Sequence, residues 1–322
     1  MSTRLAQRRA RIRAEYGFDF PDDFYRFWEF VNRLAPLEPL TALQKDLDLV
    51  LVGPFEVLSG RFDGRVPRHN LVLHWRYHDD PPEFFTVLVG GGDGLHFGYF
   101  LDDPDSGSGC LSSYYSCDAY ELSADGNTLF EAVRLHLEYY QADLETDGDY
   151  GFIPPEEREG GTAALARIRQ RLCEYATADR PEIGEEYTET YAGTCARNDR
   201  VVAETWEGMG IVVPAERYRP LSLTGRRLWR QLHQNKKVDL AGLIDEARTA
   251  LQAGFPGAML ELGKNLWVSE HADRREIAFQ LLDEAYSALG RETLRQVLHA
   301  HHVNRSLPSV DILEEELPEA EE

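Results

Sequence analysis

Apolar positions follow two rhythms along the chain. In FDFPDDFYRFWEFVNRL, Phe24, Phe27, Trp28 and Val31 recur at i, i+3, i+4 and i+7, which is one face of a helix. Pro21 and the acids Asp22 and Asp23 mark its start. Such a face reads as core. The arginines Arg4, Arg8, Arg9, Arg11 and Arg13 before it predict a solvated helical arm. From Leu47 to Phe100 the rhythm changes. LDLVLVGPFEVLSG, NLVLHWRY, EFFTVLVG and LHFGYFLDD are short β-rich runs separated by Gly, Pro, Asn and Asp. The run GGGDG at Gly90–Gly94 lies between two of them and predicts a hairpin turn. No helix follows it directly, so a phosphate-cradling loop is not expected. Residues 105–118 read as loop or strand edge. SADGNTLFEAVRLHLEYYQADL then predicts a turn and cap leading into an amphipathic helix.

Strands grouped together, rather than alternating with helices, predict an α+β class. Residues 1–145 are expected to form an antiparallel sheet flanked by helices. The acidic, Gly- and Pro-rich stretch at 146–160 reads as a linker. Residues 161–310 read as a mainly helical domain with a short β insertion at RVVAETWEGMGIVVP and a further strand near Tyr187–Tyr191. The end of the chain, 311–322, has seven acids and no base and reads as a solvated tail. A length of 322 residues suits two domains.

The net charge of −22 narrows the partners. Direct binding to nucleic acid or to an anionic membrane needs the opposite sign. No run approaches 18 apolar residues, and the basic N-terminus lacks the apolar stretch of a secretory signal. Four cysteines, Cys110, Cys117, Cys173 and Cys195, form no C-x-x-C pair. They are expected to be free thiols in a reducing cytoplasm, or in a nucleus if the source is eukaryotic. Only four lysines accompany many arginines, a bias that fits a high-GC bacterial genome.

Reactive signatures are sparse. There is no G-x-S-x-G, P-loop, H-E-x-x-H or kinase set. His299 and His302 can share a helix face, with His301 beside them, but no acid stands at a ligating distance in the sequence, and no metal is expected. Asp102, Asp103 and Asp105 lack a calcium loop and read as solvated loop acids. A stand-alone enzyme is therefore not expected, nor a cofactor of its own.

Eight collinear fragments carry more. DDFYRFWEFVNRLAPLEPL, LVLVGPFEVLSG, LVLHWRYHDDPPEF, HFGYFLDDPD, RVVAETWEGMGIVVP with YRPL, MLELGKNLW, QLLDEAY and HHVNRS span roughly residues 15–312. In this order they resemble the histone PARylation factor family. The resemblance implies an accessory factor that binds a poly(ADP-ribose) polymerase-like ADP-ribosyltransferase. NAD or ADP-ribose would be met only through that partner. It also implies links to poly(ADP-ribose) and the DNA damage response, and a histone-like or other serine-containing substrate protein. In the family a Glu is added to the transferase site. A serine hydroxyl is a poor nucleophile near neutrality, and a placed carboxylate can take its proton as it attacks the ribose C1.

Residue by residue, the family's Tyr-Arg interface pair matches Tyr218–Arg219. The family's Asp-Glu pair, counted back from Leu260–Gly263, falls on Gln252 and Ala253, and neither is a base. Asp245–Glu246 lies seven residues upstream, about 10 Å along a helix, so Glu246 is a weak substitute. Glu261, among Leu260, Leu262, Leu266 and Trp267, is expected in a buried ion pair with a partner such as an arginine. Asn304–Arg305–Ser306 read as a cap or tether of the last helix. A second resemblance, in FPDDFYRFWEFVNRL alone, is to Smi1/Knr4-like immunity and scaffolding modules, which bind a protein partner. The acidic charge would suit a basic one.

Overall fold

The computed structural model describes residues 3–90, 92–117, 121–145, 155–175, 184–233, 238–268 and 271–313. Helices α1 (Thr3–Tyr16), α2 (Asp22–Leu34) and α3 (Gln44–Leu47) lead to strand β1 (Leu49–Leu51) and helix α4 (Pro54–Ser59). Strands β2 (Phe84–Gly90), β3 (Leu95–Asp103), β4 (Ser108–Tyr115) and β5 (Ser123–Gly126) follow, then α5 (Leu129–Glu145). The second half carries α6 (Pro155–Tyr175), α7 (Gly184–Tyr191) and a hairpin, β6 (Val201–Ala203) with β7 (Ile211–Val212). It ends in α8 (Gly225–His233), α9 (Leu240–Gln252), α10 (Pro256–Trp267), α11 (Ala272–Leu289) and α12 (Glu292–Asn304). The architecture is α+β: an antiparallel sheet with flanking helices, then a mainly helical part.

The five strands pair in chain order, each antiparallel to the next. The β2–β3 turn closes with Asp93 and Gly94 at φ 58° and 71°. Gly94's left-handed φ favours glycine, and a Cβ there would lie 2.1 Å from Ser116 Oγ, so a larger residue would also have to displace that hydroxyl. Side chains alternate across the pleat. Phe85, Phe97 and Tyr99 join Phe24, Phe27 and Phe55 in the main core, while Phe84, Phe100 and Cys110 face the other way and meet Met209. Helix α2 buries the predicted face, with Phe24, Phe27 and Val31 wholly inside. Each such burial contributes about 1.5–3 kcal/mol.

Several local expectations give way. The EVLS part of the first β-rich run is α4, because Gly53 turns the chain at φ 61° and Pro54 opens a helix whose Glu56 carboxylate accepts the Gly53 N–H at 3.0 Å. Leu71–Leu73 of NLVLHWRY form a single 3-10 turn capped by Asn70. Residues 108–115 are a full strand, since β3 and β5 pair it on both sides. Tyr187–Tyr191 belong to α7, where the two rings meet one turn apart at 4.7 Å. The arginine arm is anchored rather than solvated: Arg8 donates to Leu58 O at 2.8 Å and pairs with Asp63, and Arg11 donates to Phe62 O at 2.6 Å.

Most of the predicted linker, residues 146–154, and the tail from 314 lie outside the described residues. Helix α6 already begins at Pro155. The start of the tail is not solvated. Asp311, Ile312 and Leu313 are buried, Asp311 pairs with Arg61, and Val310 O accepts the Trp75 N–H at 2.7 Å.

The seam between the sheet and the helical half holds buried charges. Arg197 Nε and Nη2 each donate to the Asp102 carboxylate at 2.7 Å. Asp102 is therefore a buried anchor and not a loop acid. Lys264 Nζ lies 2.9 Å from Glu207 Oε1 and 3.5 Å from Glu83 Oε1. Burial pulls the Lys264 pKa down, but the two carboxylates outweigh it and leave it raised.

Candidate functional site

The candidate docking surface is built where the chain leaves β7. A 3-10 turn, Ala215–Arg217, turns the backbone so that Tyr218 follows extended and half-buried while Arg219 is exposed. Two contacts fix this segment from behind. Arg217 Nη2 donates to Ala288 O at 3.0 Å, at the end of α11. Gly257, in the first turn of α10, sits so close that a Cβ would lie 3.1 Å from Arg217 O and 2.9 Å from Val213 Cγ2.

Tyr218 donates its hydroxyl to Glu261 Oε2 at 2.8 Å, and the Gly225 N–H donates to Glu261 Oε1 at 3.0 Å. The partner of Glu261 is thus a phenol and a helix-terminal amide, not an arginine. Helix α8 starts at Gly225, so its unpaired N-terminal N–H is the donor that a buried carboxylate can use. Burial raises the Glu261 pKa, and the two hydrogen bonds only partly offset it. Burial, with the Glu261 charge added, raises Tyr218. This pair is the internal pillar of the surface.

Arg219 lies with its guanidinium 4.3 Å over the Phe255 ring. Phe255 follows the end of α9, which closes with a Schellman turn: Phe255 N–H reaches Ala250 O, Gly254 N–H reaches Leu251 O, and Gly254 takes φ 93°. Gln252 and Ala253 are exposed at the tip of that turn. The position at which the resemblance places a catalytic Glu therefore presents a methyl group beside the Arg219–Phe255 stack. Glu246, two turns earlier on α9, is exposed and accepts the Ser222 N–H at 2.9 Å, three residues beyond Arg219. Tertiary structure thus brings Tyr218, Arg219, Glu246 and Ala253 onto one neighbourhood of α9, α10 and the segment after β7.

The remaining candidates have other partners. His299 Nε2 is 2.6 Å from Asp283 Oδ1 and His302 Nε2 is 3.2 Å from Glu276 Oε2, so α11 supplies the acids that the local sequence lacked. His301 is buried against Trp267, where burial holds its pKa well below the ordinary value. Arg305 donates to Asp79 at 2.8 Å and to Trp267 O at 3.0 Å, tethering the last helix. Among the described residues no three metal-ligating groups converge, and no helix is long and apolar enough to cross a membrane.

Lys264, Glu83 and Glu207 escaped the sequence reading. The one signal was a lysine inside the largely apolar run MLELGKNLW, beside Glu261 and Asn265.

The sequence places the chain among known proteins. Residues 7–305 match the family histone PARylation factor 1, and the chain belongs to that family. It is 30% identical to histone PARylation factor 1 of Bos taurus over 95% of this chain and 89% of that protein. It is 29% identical to the Mus musculus protein, with the same coverage. The Danio rerio protein is also 29% identical, over 95% of this chain and 88% of its own length.

Proposed function

We propose that this protein is an accessory binding factor for a poly(ADP-ribose) polymerase-like ADP-ribosyltransferase, docking through Tyr218–Arg219 and modulating ADP-ribosylation without donating a base at position 253. The names of its relatives, histone PARylation factors, support a PARylating transferase partner and a histone-like substrate protein. The observation that carries the reading is the exposed Arg219 guanidinium, stacked on Phe255 and backed by the buried Tyr218–Glu261 pair. A preorganised arginine on an aromatic loses little freedom on binding and can fork onto a carboxylate of the partner.

The chemistry then divides. The transferase holds NAD or ADP-ribose, and this chain shapes the mouth of that site. Ala253 has no proton acceptor, so a serine hydroxyl gains no help there. Glu246 carries a carboxylate, but it is engaged by the Ser222 N–H and stands about 10 Å back along α9.

The test pairs binding with activity, using the source organism's transferase. Arg219→Ala is expected to weaken capture about thirtyfold, the ~2 kcal/mol of an interface hot spot. Glu246→Gln should leave serine modification unchanged. Ala253→Glu should raise it by restoring a base. Capture indifferent to Arg219→Ala defeats the docking surface. Loss of serine modification in Glu246→Gln would instead make Glu246 a relocated base.

A further inference from the structure

Strand β4 and the loop after α7 bring two of the four cysteines together. Cys110 lies on β4 and is 2% exposed, in the small apolar cluster on the far side of the sheet, and Cys195 packs against that cluster. This packing makes the two thiols neighbours, and each is the first influence on the other's proton affinity. Cys195 is only half-buried, so a small reagent can reach it, whereas Cys110 is closed off. Proximity of this kind, one open sulfur over one closed sulfur, is the geometry of an attacking and a resolving cysteine.

The surroundings favour that division. The neighbouring Cys110 thiol, the nearby backbone N–H groups of Asn198 and Arg197 and the Arg197 guanidinium all favour the thiolate, so the Cys195 pKa falls to about 6 despite burial. The same thiol contact, with burial, holds Cys110 protonated. In its thiol form Cys195 has Asn198 Oδ1 at 3.1 Å as acceptor. Two acids stand nearby. Asp102 is matched by Arg197. Asp125 opposes a thiolate, but burial raises its carboxyl to about 7, so its charge is incomplete near neutrality.

We propose that Cys110 and Cys195 form a peroxide-responsive dithiol, with Cys195 as the attacking sulfur and Cys110 as the resolving sulfur of a reversible intramolecular disulfide. The Cys195 thiolate attacks one oxygen of hydrogen peroxide. The O–O bond breaks, and the departing hydroxide takes a proton to become water, leaving a sulfenic acid. Cys110 sulfur then attacks the Cys195 sulfur. The S–O bond breaks, the hydroxyl leaves as water with the Cys110 proton, and an S–S bond forms. Two thiols are oxidised and one peroxide is reduced to two waters. A dithiol reductant reverses the bond. The bond staples the sheet to the loop that enters the β6–β7 hairpin, and that hairpin leads straight into the Tyr218–Arg219 segment.

The test uses the reduced full-length chain with equimolar hydrogen peroxide, followed by alkylation and peptide mass mapping. The expected result is one linked pair, Cys110 with Cys195, while Cys117 and Cys173 stay alkylated, and reversal by dithiothreitol. At pH 7 Cys195 should react about tenfold faster than Cys117 and Cys173. In Cys110→Ala, dimedone should trap a sulfenic acid at Cys195. In Cys195→Ser, peroxide consumption should fall to the level of the two exposed cysteines. Should Cys110→Ala fail to fold, the wild-type map and Cys195→Ser decide. Cys195 no faster than Cys117 and Cys173, a sulfinic acid in place of the linked pair, or linkage only between chains overturns the proposal.

Discussion

On the α2 side of the sheet, Phe24 stacks on Phe55 at 4.3 Å between ring centroids, and Phe20 meets Tyr99 at 5.8 Å and Phe85 at 6.1 Å. On the opposite side, Phe100 lies beneath two cations, Arg197 at 4.8 Å and Lys264 at 4.6 Å. Both faces are equally dry, but they are held by different physics. The hydrophobic drive behind ring packing is non-directional, and a near-isosteric swap is tolerated at modest cost. A buried charge tolerates no loss of its partner, because the group left behind must be desolvated alone. The fold uses the forgiving face to build its core and the unforgiving face to fix how the helical half, with its candidate docking segment, sits on the sheet.

The contrast can be tested with swaps that nearly conserve shape. Lys264→Met strands Glu83 and Glu207 and should cost about 3–5 kcal/mol in urea unfolding. Adding Glu83→Gln and Glu207→Gln should recover most of that loss, and a triple variant as weak as the single one would show that packing, not charge, was at stake. Phe85→Leu on the apolar face should cost only ~1–1.5 kcal/mol in the same assay. Equal costs for the two single swaps would erase the distinction between the faces.

The contrast also reaches pH: two buried groups give opposed slopes, each at most about 1.4 kcal/mol per pH unit. Asp125, beside the charged seam, has its folded pKa raised by burial to about 7. It binds its proton more tightly when folded, so its contribution is complete below about 4 and is lost as pH rises towards 7. His301, packed on Trp267, is held neutral, with its folded pKa well below 6.5. Its contribution is complete above 6.5 and is lost as pH falls below that value, where the unfolded chain takes up a proton. Asp125→Asn should flatten the first loss and His301→Leu the second, read from midpoints across pH 4–8. A profile unchanged by either variant would show that neither group titrates on unfolding in this range.

Sequence rhythm foretold the apolar face because its residues repeat at helical or strand spacing along one segment. Phe24, Phe27, Trp28 and Val31 needed no knowledge of what lay opposite. Rhythm misled at Pro54–Ser59 and Tyr187–Tyr191, where β-rich composition met a helix start or a one-turn ring contact. For the candidate site, the YRPL and LELG fragments pointed to Tyr218, Arg219 and Glu261, but not to how they connect. The Tyr218–Glu261 bond spans 43 positions, the Gly225–Glu261 bond 36 and the Ser222–Glu246 bond 24.

What the sequence by itself determined is the class of fold, the composition of its core, and the absence of a carboxylate at position 253. These follow from local periodicity and from side-chain identity, which need no third dimension. The tertiary structure alone decided which charges neutralise each other. It set Asp102 against Arg197, Lys264 between Glu83 and Glu207, and Cys110 beneath Cys195. Coulombic and hydrogen-bond partners are chosen by distance in space, and nothing in the spacing of these residues along the chain encodes that distance.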